Sequence, residues 1–313
     1  MITPEALLDT IFQRYYLSRE LSDVTSSHWR SVGWQEVKKG SCGWKLEGAG
    51  FGSRRQDTLL NRLVRWPSTR MTFDLLCENE CSEELVALGI EVAKRHGRLF
   101  DFDCARQVLT LNLLASRLEE MNARNRREFD GVIAIIGDGY GYLGSLLGQW
   151  LPKATIVEIN LGRTLFFDAY YLTKAFPQKR HEFFNEAKAP GEAGGFLYLE
   201  AESVANVRAL GAWLYINIAS MQEMDLPVVH DYFRLMRAEH TEATLFYCCN
   251  RQEKRLPDET VTRFDEYGWL GDDDIMLDEL CPWVQMYPKS FPPKWLPFDG
   301  PTRHRLVKLA CGL

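Results

Sequence analysis

The feature that most constrains this chain is a transition near its middle, where Val132-Ile133-Ala134-Ile135-Ile136 runs directly into Gly137-Asp138-Gly139-Tyr140-Gly141. Consecutive apolar residues, mostly β-branched, suit a strand buried on both faces. The helix-patterned stretch 142–151 follows and is stopped by Pro152. Strand, glycine turn and helix in that order create a place where backbone N–H groups converge and a ligand approaches without a Cβ in the way. A second strand, Thr155-Ile156-Val157, is predicted to end at Glu158. An acid at that tip accepts ribose hydroxyl protons, because the second strand of a doubly wound sheet flanks the same crevice. The ordered series, more than the glycines alone, predicts a nucleoside site.

Two kinds of nucleoside ligand compete for that site. Gly139-Tyr140-Gly141-Tyr142-Leu143-Gly144 satisfies the G-x-G-x-x-G pattern of nicotinamide and flavin enzymes, with Glu158 following at a suitable distance. Dinucleotide glycines usually begin at the strand end, however, and in that register Tyr142 stands where the third glycine belongs. The long helical segment ahead of the first strand also favours S-adenosyl-L-methionine, by analogy of fold.

Lys and Arg total 37 against 43 Asp and Glu, a net charge of −6, so the chain as a whole does not attract nucleic acid or an anionic membrane. The start Met1-Ile2-Thr3-Pro4-Glu5 lacks a basic, apolar leader, and no apolar run is long enough for a membrane span, which predicts a cytoplasmic protein. Eight cysteines form no Cys-x-x-Cys pair, and Cys77 and Cys81 have no second pair or nearby His to complete a zinc site. They read as reduced thiols, mostly in the core.

Thr3-Pro4-Glu5 supplies an N-cap, a first-turn proline and an acid for an amphipathic helix carrying Leu7, Leu8 and Ile11. Residues 26–53, with Trp29, Trp34 and Trp44 among glycines, suit turns and short strands. Helical periodicity returns at 56–66, 68–77, 82–96 and 102–125. The texture changes near residue 128, which divides a helical or lid region (1–128) from an α/β unit (129–313).

From about Asp130 to Lys254 the sequence resembles class I S-adenosylmethionine-dependent methyltransferases, and within them it is similar to the sugar O-methyltransferase family. The resemblance lies in the glycine turn, in Ile156-Val157-Glu158-Ile159-Asn160 with the aromatic-rich stretch that follows, and in Leu214-Tyr215-Ile216-Asn217-Ile218-Ala219-Ser220-Met221-Gln222-Glu223-Met224 followed by Phe246-Tyr247-Cys248-Cys249-Asn250-Arg251. The glycine turn marks the superfamily; residues 220–224 and the Asn250-Arg251 pair carry the sugar assignment. Ile135 departs from the acid that many such enzymes place two residues before the first glycine.

The resemblance implies a Rossmann-like α/β fold with a seven-stranded sheet, mostly parallel with an antiparallel last strand. Strands three to seven are expected at 196–199, 213–218, 244–249, 283–287 and 305–309. It implies donor contacts from Gly137, Asp138, Gly139, Tyr140, Gly141, Glu158, Ile159 and Asn217, with Glu200 or Glu202 on the adenine. S-adenosyl-L-homocysteine would be the coproduct and a sugar or glycoside hydroxyl the acceptor. Residues beyond the fourth strand should face the methyl, which makes Glu223 the leading base and His230 the alternative. His181 is less favoured. Ser220, Gln222, Asn250 and Arg251 are expected on the sugar. Asp272-Asp273-Asp274 reads as a solvated turn rather than a metal site. A dinucleotide oxidoreductase is the rival enzyme, and a silent Rossmann-like protein using its helical half as a partner or homodimer surface is the non-enzymatic alternative.

Overall fold

In a computed structural model, residues 3–15, 24–32, 36–41, 43–47, 56–121, 126–185, 194–239 and 244–311 are described, without side chains for 118–121. Trp34 and Cys42 lie outside them. The helices are α1 (Pro4–Tyr15), α2 (Ser27–Ser31), α3 (Leu59–Glu78), α4 (Glu83–Arg95), α5 (Phe102–Met121), α6 (Tyr142–Trp150), α7 (Gly162–Ala175) and α8 (Leu226–Arg237). The central sheet comprises β1 (Val132–Ile136), β2 (Thr155–Asn160), β3 (Arg180–Phe183), β4 (Gly195–Glu200), β5 (Ala212–Ile218), β6 (Thr244–Arg251), β7 (Asp274–Leu280) and β8 (Thr302–Leu309). Its strand order is β7-β8-β6-β5-β1-β2-β4-β3.

Strands β3, β4, β2, β1, β5 and β6 are mutually parallel, while β8 runs antiparallel between β6 and β7. The last strand is therefore antiparallel, as expected. The order reverses at β1, since the chain moves outward to β2 on one side and returns to β5 on the other. That reversal opens a crevice at the carboxyl ends of β1 and β5.

Burial on both faces explains the unbroken apolar strands. Ile133, Ile135, Ile156 and Ile216 pack under α1, α4, α5, α6 and α7, while Ala134, Ile136, Val157 and Ile159 pack against α8 through Val229, Tyr232, Phe233 and Met236. The first of these cores runs without a break from Leu7 and Leu114 to Tyr247, so it does not divide at residue 128. Each such fully buried side chain contributes about 1.5–3 kcal/mol relative to exposure. The N-terminal helices are thereby committed to one sheet face.

Local signals account for several boundaries. The Thr3 hydroxyl accepts the Ala6 N–H at 3.2 Å and the Ser82 hydroxyl accepts that of Leu85 at 3.2 Å, both as N-caps. Gly97, at φ 62°, follows the end of α4. The two helices expected at 56–66 and 68–77 are one, because Pro67 removes one internal hydrogen bond without stopping α3. The sheet has eight strands rather than seven, with β3 added at the edge. Residues 274–280, not 283–287, form the next-to-last strand; Met286–Lys289 pairs with Lys294–Pro297 in a separate hairpin. The charged outer face of 274–280 conceals a half-exposed edge strand from a search for apolar runs.

Seven cysteines are free thiols among the described residues, and Cys104, Cys248, Cys249 and Cys281 are buried. No helix among the described residues is long and apolar enough to cross a membrane.

Asp273 is structural. Its carboxylate takes both Arg237 guanidinium bonds at 2.8 Å and the N–H groups of Leu270 and Ala310 at 2.8 and 2.9 Å, while the side chain is only 2% exposed. Burial opposes its charge, but the Arg237 bonds and the two N–H groups outweigh that, so its carboxyl lies below the ordinary range. A depressed acid stabilises the fold above its unfolded pKa and loses that contribution as pH falls through the folded value. Asp273→Asn should cost about 1–3 kcal/mol at neutral pH by removing the counter-charge of Arg237, which keeps the Gly268 and Ala310 carbonyls as acceptors, and the difference from wild type should shrink under acid. Denaturant melts at two pH values measure both; equal stability at neutral pH would contradict the assignment.

Candidate active site

The glycine turn closes β1 onto α6 with Gly137, Gly139 and Gly141 at φ 78°, 84° and 65°, a region that side-chain-bearing residues rarely adopt. Gly137 N–H continues the ladder to the Ile159 carbonyl at 2.8 Å. Asp138 turns its carboxylate onto the first turn of α6, accepting the N–H groups of Leu143 at 3.2 Å and Gly144 at 2.7 Å. Asp168 of α7 accepts the Gly141 N–H at 3.0 Å and the Asn160 amide at 2.8 Å. The N-terminus of α6 is thus satisfied by two carboxylates of the chain itself, with the helix dipole favouring their charge.

Glu158 is not the tip of β2. The strand runs on to Asn160, and the Glu158 side chain lies on the helix-covered face with Ile156, fully buried, both oxygens without a hydrogen-bond partner. A Cβ on Gly144 would sit 1.9 Å from its Oε1, so only glycine leaves it room. Burial first, then the charges of Asp138 and Asp168, push its pKa well up. Burial and Asp138 likewise raise Asp168. Burial lifts Asp138 to about 6 against the opposing N–H bonds from the start of α6.

Beside the turn lies a cavity of about 580 Å³. Its sheet side is formed by Gly137, Asp138, Gly139, Ile159, Asn160 and Leu161, and Ala201 closes the end beyond β4. Opposite stand Ser220, Glu223 and Met224 after β5, together with Ser26, His28 and Trp29 on and before α2. Ala219, at φ 59°, makes the bend that turns the chain from β5 into this wall, its N–H bonded to the Cys249 carbonyl at 2.8 Å.

Glu223 is held from two sides. Lys254 donates to Oε1 at 2.6 Å, His28 Nε2 lies 3.3 Å from Oε2, and the Ser26 hydroxyl donates to the Glu223 carbonyl. Burial works against its charge, but the His28 hydrogen bond and the charges of Lys254 and His28 prevail, leaving the carboxyl below the usual range. His28 and Lys254 were not anticipated from sequence. His28 sits on a five-residue helix with no side-chain cap and Lys254 in a three-residue strand, so neither belongs to a segment with a periodic signal.

Other expected site residues serve the framework. Asn217 donates to the Ile136 carbonyl at 2.8 Å and accepts from Asn250 at 2.7 Å and from Met221 N–H at 3.2 Å. Asn250 accepts the Gln222 N–H at 3.1 Å, and Gln222 accepts that of Arg251 at 2.8 Å. Asn217 and Asn250 are fully buried, and this network fastens the ends of β1, β5 and β6 rather than reaching a ligand. Ser220 alone of these polar residues also lines the cavity, while donating to the Ile136 carbonyl at 2.9 Å. Arg251 pairs with Asp299 at 3.2 Å, away from the wall.

Tyr140 packs on Phe167 and Tyr171, and Gly141 faces Leu172, so both belong to the seam between turn and α7. Glu200 pairs with Arg14 at 3.0 Å, and Glu202 accepts the Gly162 N–H at 3.4 Å; neither lines the cavity. His230 is exposed, contacts the Glu266 carbonyl at 3.2 Å and does not line the cavity. His181 is buried between Tyr198 and the Phe176 carbonyl. Trp44 is core, against Phe12 and Phe166.

No family model matches the chain, and no curated protein matches it. Among solved structures, it is similar to a SAM-dependent methyltransferase from Anabaena variabilis at 10% identity and a TM-score of 0.39, over 62% of this chain and 83% of that one. It is similar to the mitomycin 7-O-methyltransferase at 11% identity and 0.35, over 66% and 57%. A structure describing conversion of a disulfide bond into a thioacetal group during echinomycin biosynthesis matches at 10% identity and 0.42, over 64% and 82%. Identities and scores this low leave the argument to the chain's own geometry.

The acid cluster behind the turn makes stability depend on pH in a defined sense. Asp138, Glu158 and Asp168 all have folded values above their unfolded ones, so the native state holds protons that the unfolded chain gives up. Their contribution is complete below the unfolded carboxylate range near about pH 4 and is lost as pH rises through the folded values. Glu158→Gln keeps the shape and removes one titration. It should raise stability at pH 8 by roughly 1–3 kcal/mol and flatten the decline between pH 5 and 8 in thermal melts. A mutant whose decline parallels wild type would show that this carboxyl does not carry it.

Proposed function

We propose that the protein is an S-adenosyl-L-methionine-dependent O-methyltransferase acting on a hydroxyl of a sugar or glycosylated small molecule. The observation that carries the choice of donor is the filled N-terminus of α6. A dinucleotide lays its pyrophosphate on the N–H groups of that helix. Here Asp138 already takes those of Leu143 and Gly144, and Asp168 takes that of Gly141. A pyrophosphate would find those N–H groups already taken. A donor with no phosphate does not call on them, and the antiparallel last strand agrees with the fold that the sequence resemblance implies.

Gly137, Gly139 and Asp138 would hold the donor's amino acid end, and Ile159, Asn160, Leu161 and Ala201 its nucleoside end. When bound, the donor supplies an activated methyl with a neutral sulfide as leaving group. The chain's task is then to align an acceptor oxygen and take its proton. Trp29 offers a flat apolar face and Ser26, His28 and Glu223 offer hydrogen bonds, a combination suited to a sugar ring.

On this reading the base is His28 rather than the expected Glu223. Glu223, stabilised as a carboxylate by Lys254, is better placed to orient His28 than to accept the proton itself. We assign His28 as acceptor: an imidazole takes the hydroxyl proton as the new O–C bond forms and the C–S pair returns to sulfur, while Glu223 steadies the imidazolium. The first 128 residues would thereby serve the reaction through α2.

Three measurements test this reading. S-adenosyl-L-homocysteine should raise the melting midpoint while NAD(H), NADP(H) and FAD leave it unchanged; stabilisation by a dinucleotide alone would sink the proposal. Gly139→Val should abolish that ligand-induced rise in a protein whose unliganded melt is still cooperative, because a branched side chain would enter the cavity. With an acceptor identified from a sugar panel, His28→Gln should lower single-turnover methyl transfer by roughly 10²–10⁴-fold with donor affinity kept. Glu223→Gln should lower it less. A His28 variant within about threefold of wild type would remove His28 as base.

A further inference from the structure

A second cavity, of about 460 Å³, opens among α3, the start of α5 and the 286–297 hairpin. It shares no lining residue with the cavity at the glycine turn. Its size falls within the range that holds small organic ligands.

Its walls combine rings with uncompensated positive charge. Phe102 and Phe298 stack at 6.1 Å between centroids, Tyr287 lies 5.3 Å from Phe298, and the Arg106 guanidinium sits 5.5 Å and 5.7 Å from Phe102 and Phe298. Two carboxylates also border the space, yet both are engaged: Asp103 pairs with Arg106, and Asp101 holds Arg98 at 3.0 Å and the Cys104 N–H at 3.2 Å through Oδ1. Arg65 makes one long bond, 3.5 Å to the Ser290 hydroxyl, and neither Arg65 nor Lys289 is in an ion pair among the described residues. Arg106 Nε is enclosed with no hydrogen-bond partner, and so is Asp101 Oδ2. The spare cations Arg65 and Lys289 favour an anion.

We propose that this cavity is a binding site for a flat-ringed small molecule carrying a carboxylate or phosphate, independent of the methyl-transfer site. The ring packs on Phe102 and Phe298, and the anion faces Arg65 and Lys289. The charge-assisted bonds fix orientation and the rings supply most of the buried area.

Isothermal titration of the full chain with phenyl phosphate and 4-hydroxybenzoate tests this, with phenol and inorganic phosphate as the separate halves. At least one ring anion should bind saturably at one site per chain, at least about tenfold tighter than either half. Which of the two binds better decides between phosphate and carboxylate. Arg65→Ala with Lys289→Ala should weaken binding at least about tenfold without lowering the melting midpoint, since Arg65 gives up only one 3.5 Å hydrogen bond and Lys289 is exposed, and saturating S-adenosyl-L-homocysteine should leave the affinity unchanged. No saturable binding below about 5 mM, binding indifferent to the double substitution, or displacement by S-adenosyl-L-homocysteine would each overturn the proposal.

Discussion

The contact on which the rest of the active edge depends is the Asp138 carboxylate on the first turn of α6. It fixes the entry of the helix, which in turn decides where the glycine backbone lies relative to the crevice. Asp168 repeats the device one step further out, joining the Gly141 N–H to Asn160, so that β1, α6, β2 and α7 meet through two acids. Concentrating carboxyl groups beneath one turn has a cost, visible in the raised pKa values of Asp138, Asp168 and the neighbouring Glu158. The arrangement persists because the N–H groups at a helix start are the strongest neutral partners a buried carboxylate can find.

On the other side of the crevice the same problem is solved with amides. Asn217 and Asn250 bridge strand ends, and Gln222 clamps the backbone of Arg251, so the loop after β5 is held by neutral groups that need no counter-charge. The one acid presented there, Glu223, receives its own cation in Lys254. The two walls therefore differ: at the glycine turn, acids take the backbone N–H groups at the start of α6, while beyond β5, amides tie the strand ends and Glu223 has its own cation.

The central strands were legible from sequence because burial on both faces makes each an unbroken apolar run, as at residues 132–136 and 212–216. Helix starts at Thr3 and Ser82 were legible from side chains that cap locally. What failed were features decided by partners distant in sequence. Pattern alone could not tell that β2 extends past Glu158, because the extension depends on pairing with β4 up to Asn160–Glu200. The edge strands β3 and β7 are short or half-exposed and carry charges, so they lack the apolar signature. Resemblance placed Asn217, Gln222 and Asn250 near the right strand ends, but the same amides that could bind a ligand were needed to tie those ends together.

His28, the base in the proposed function, illustrates why a site residue can be invisible in one dimension. It lies nearly two hundred positions before Glu223, on a helix too short to nucleate alone, and gains its position only when Ser26 bonds the Glu223 carbonyl and Trp29 reaches the cavity. The Thr25 carbonyl accepts from Arg30 at 2.8 Å and the Ser26 hydroxyl reaches the Glu223 carbonyl, so the short helix is tied to the loop after β5 while bordering the cavity. The N-terminal half therefore holds two kinds of helix: α1, α4 and α5 fill the core on one face of the sheet, while α2 is kept at the lip of the crevice by polar contacts to the loop after β5.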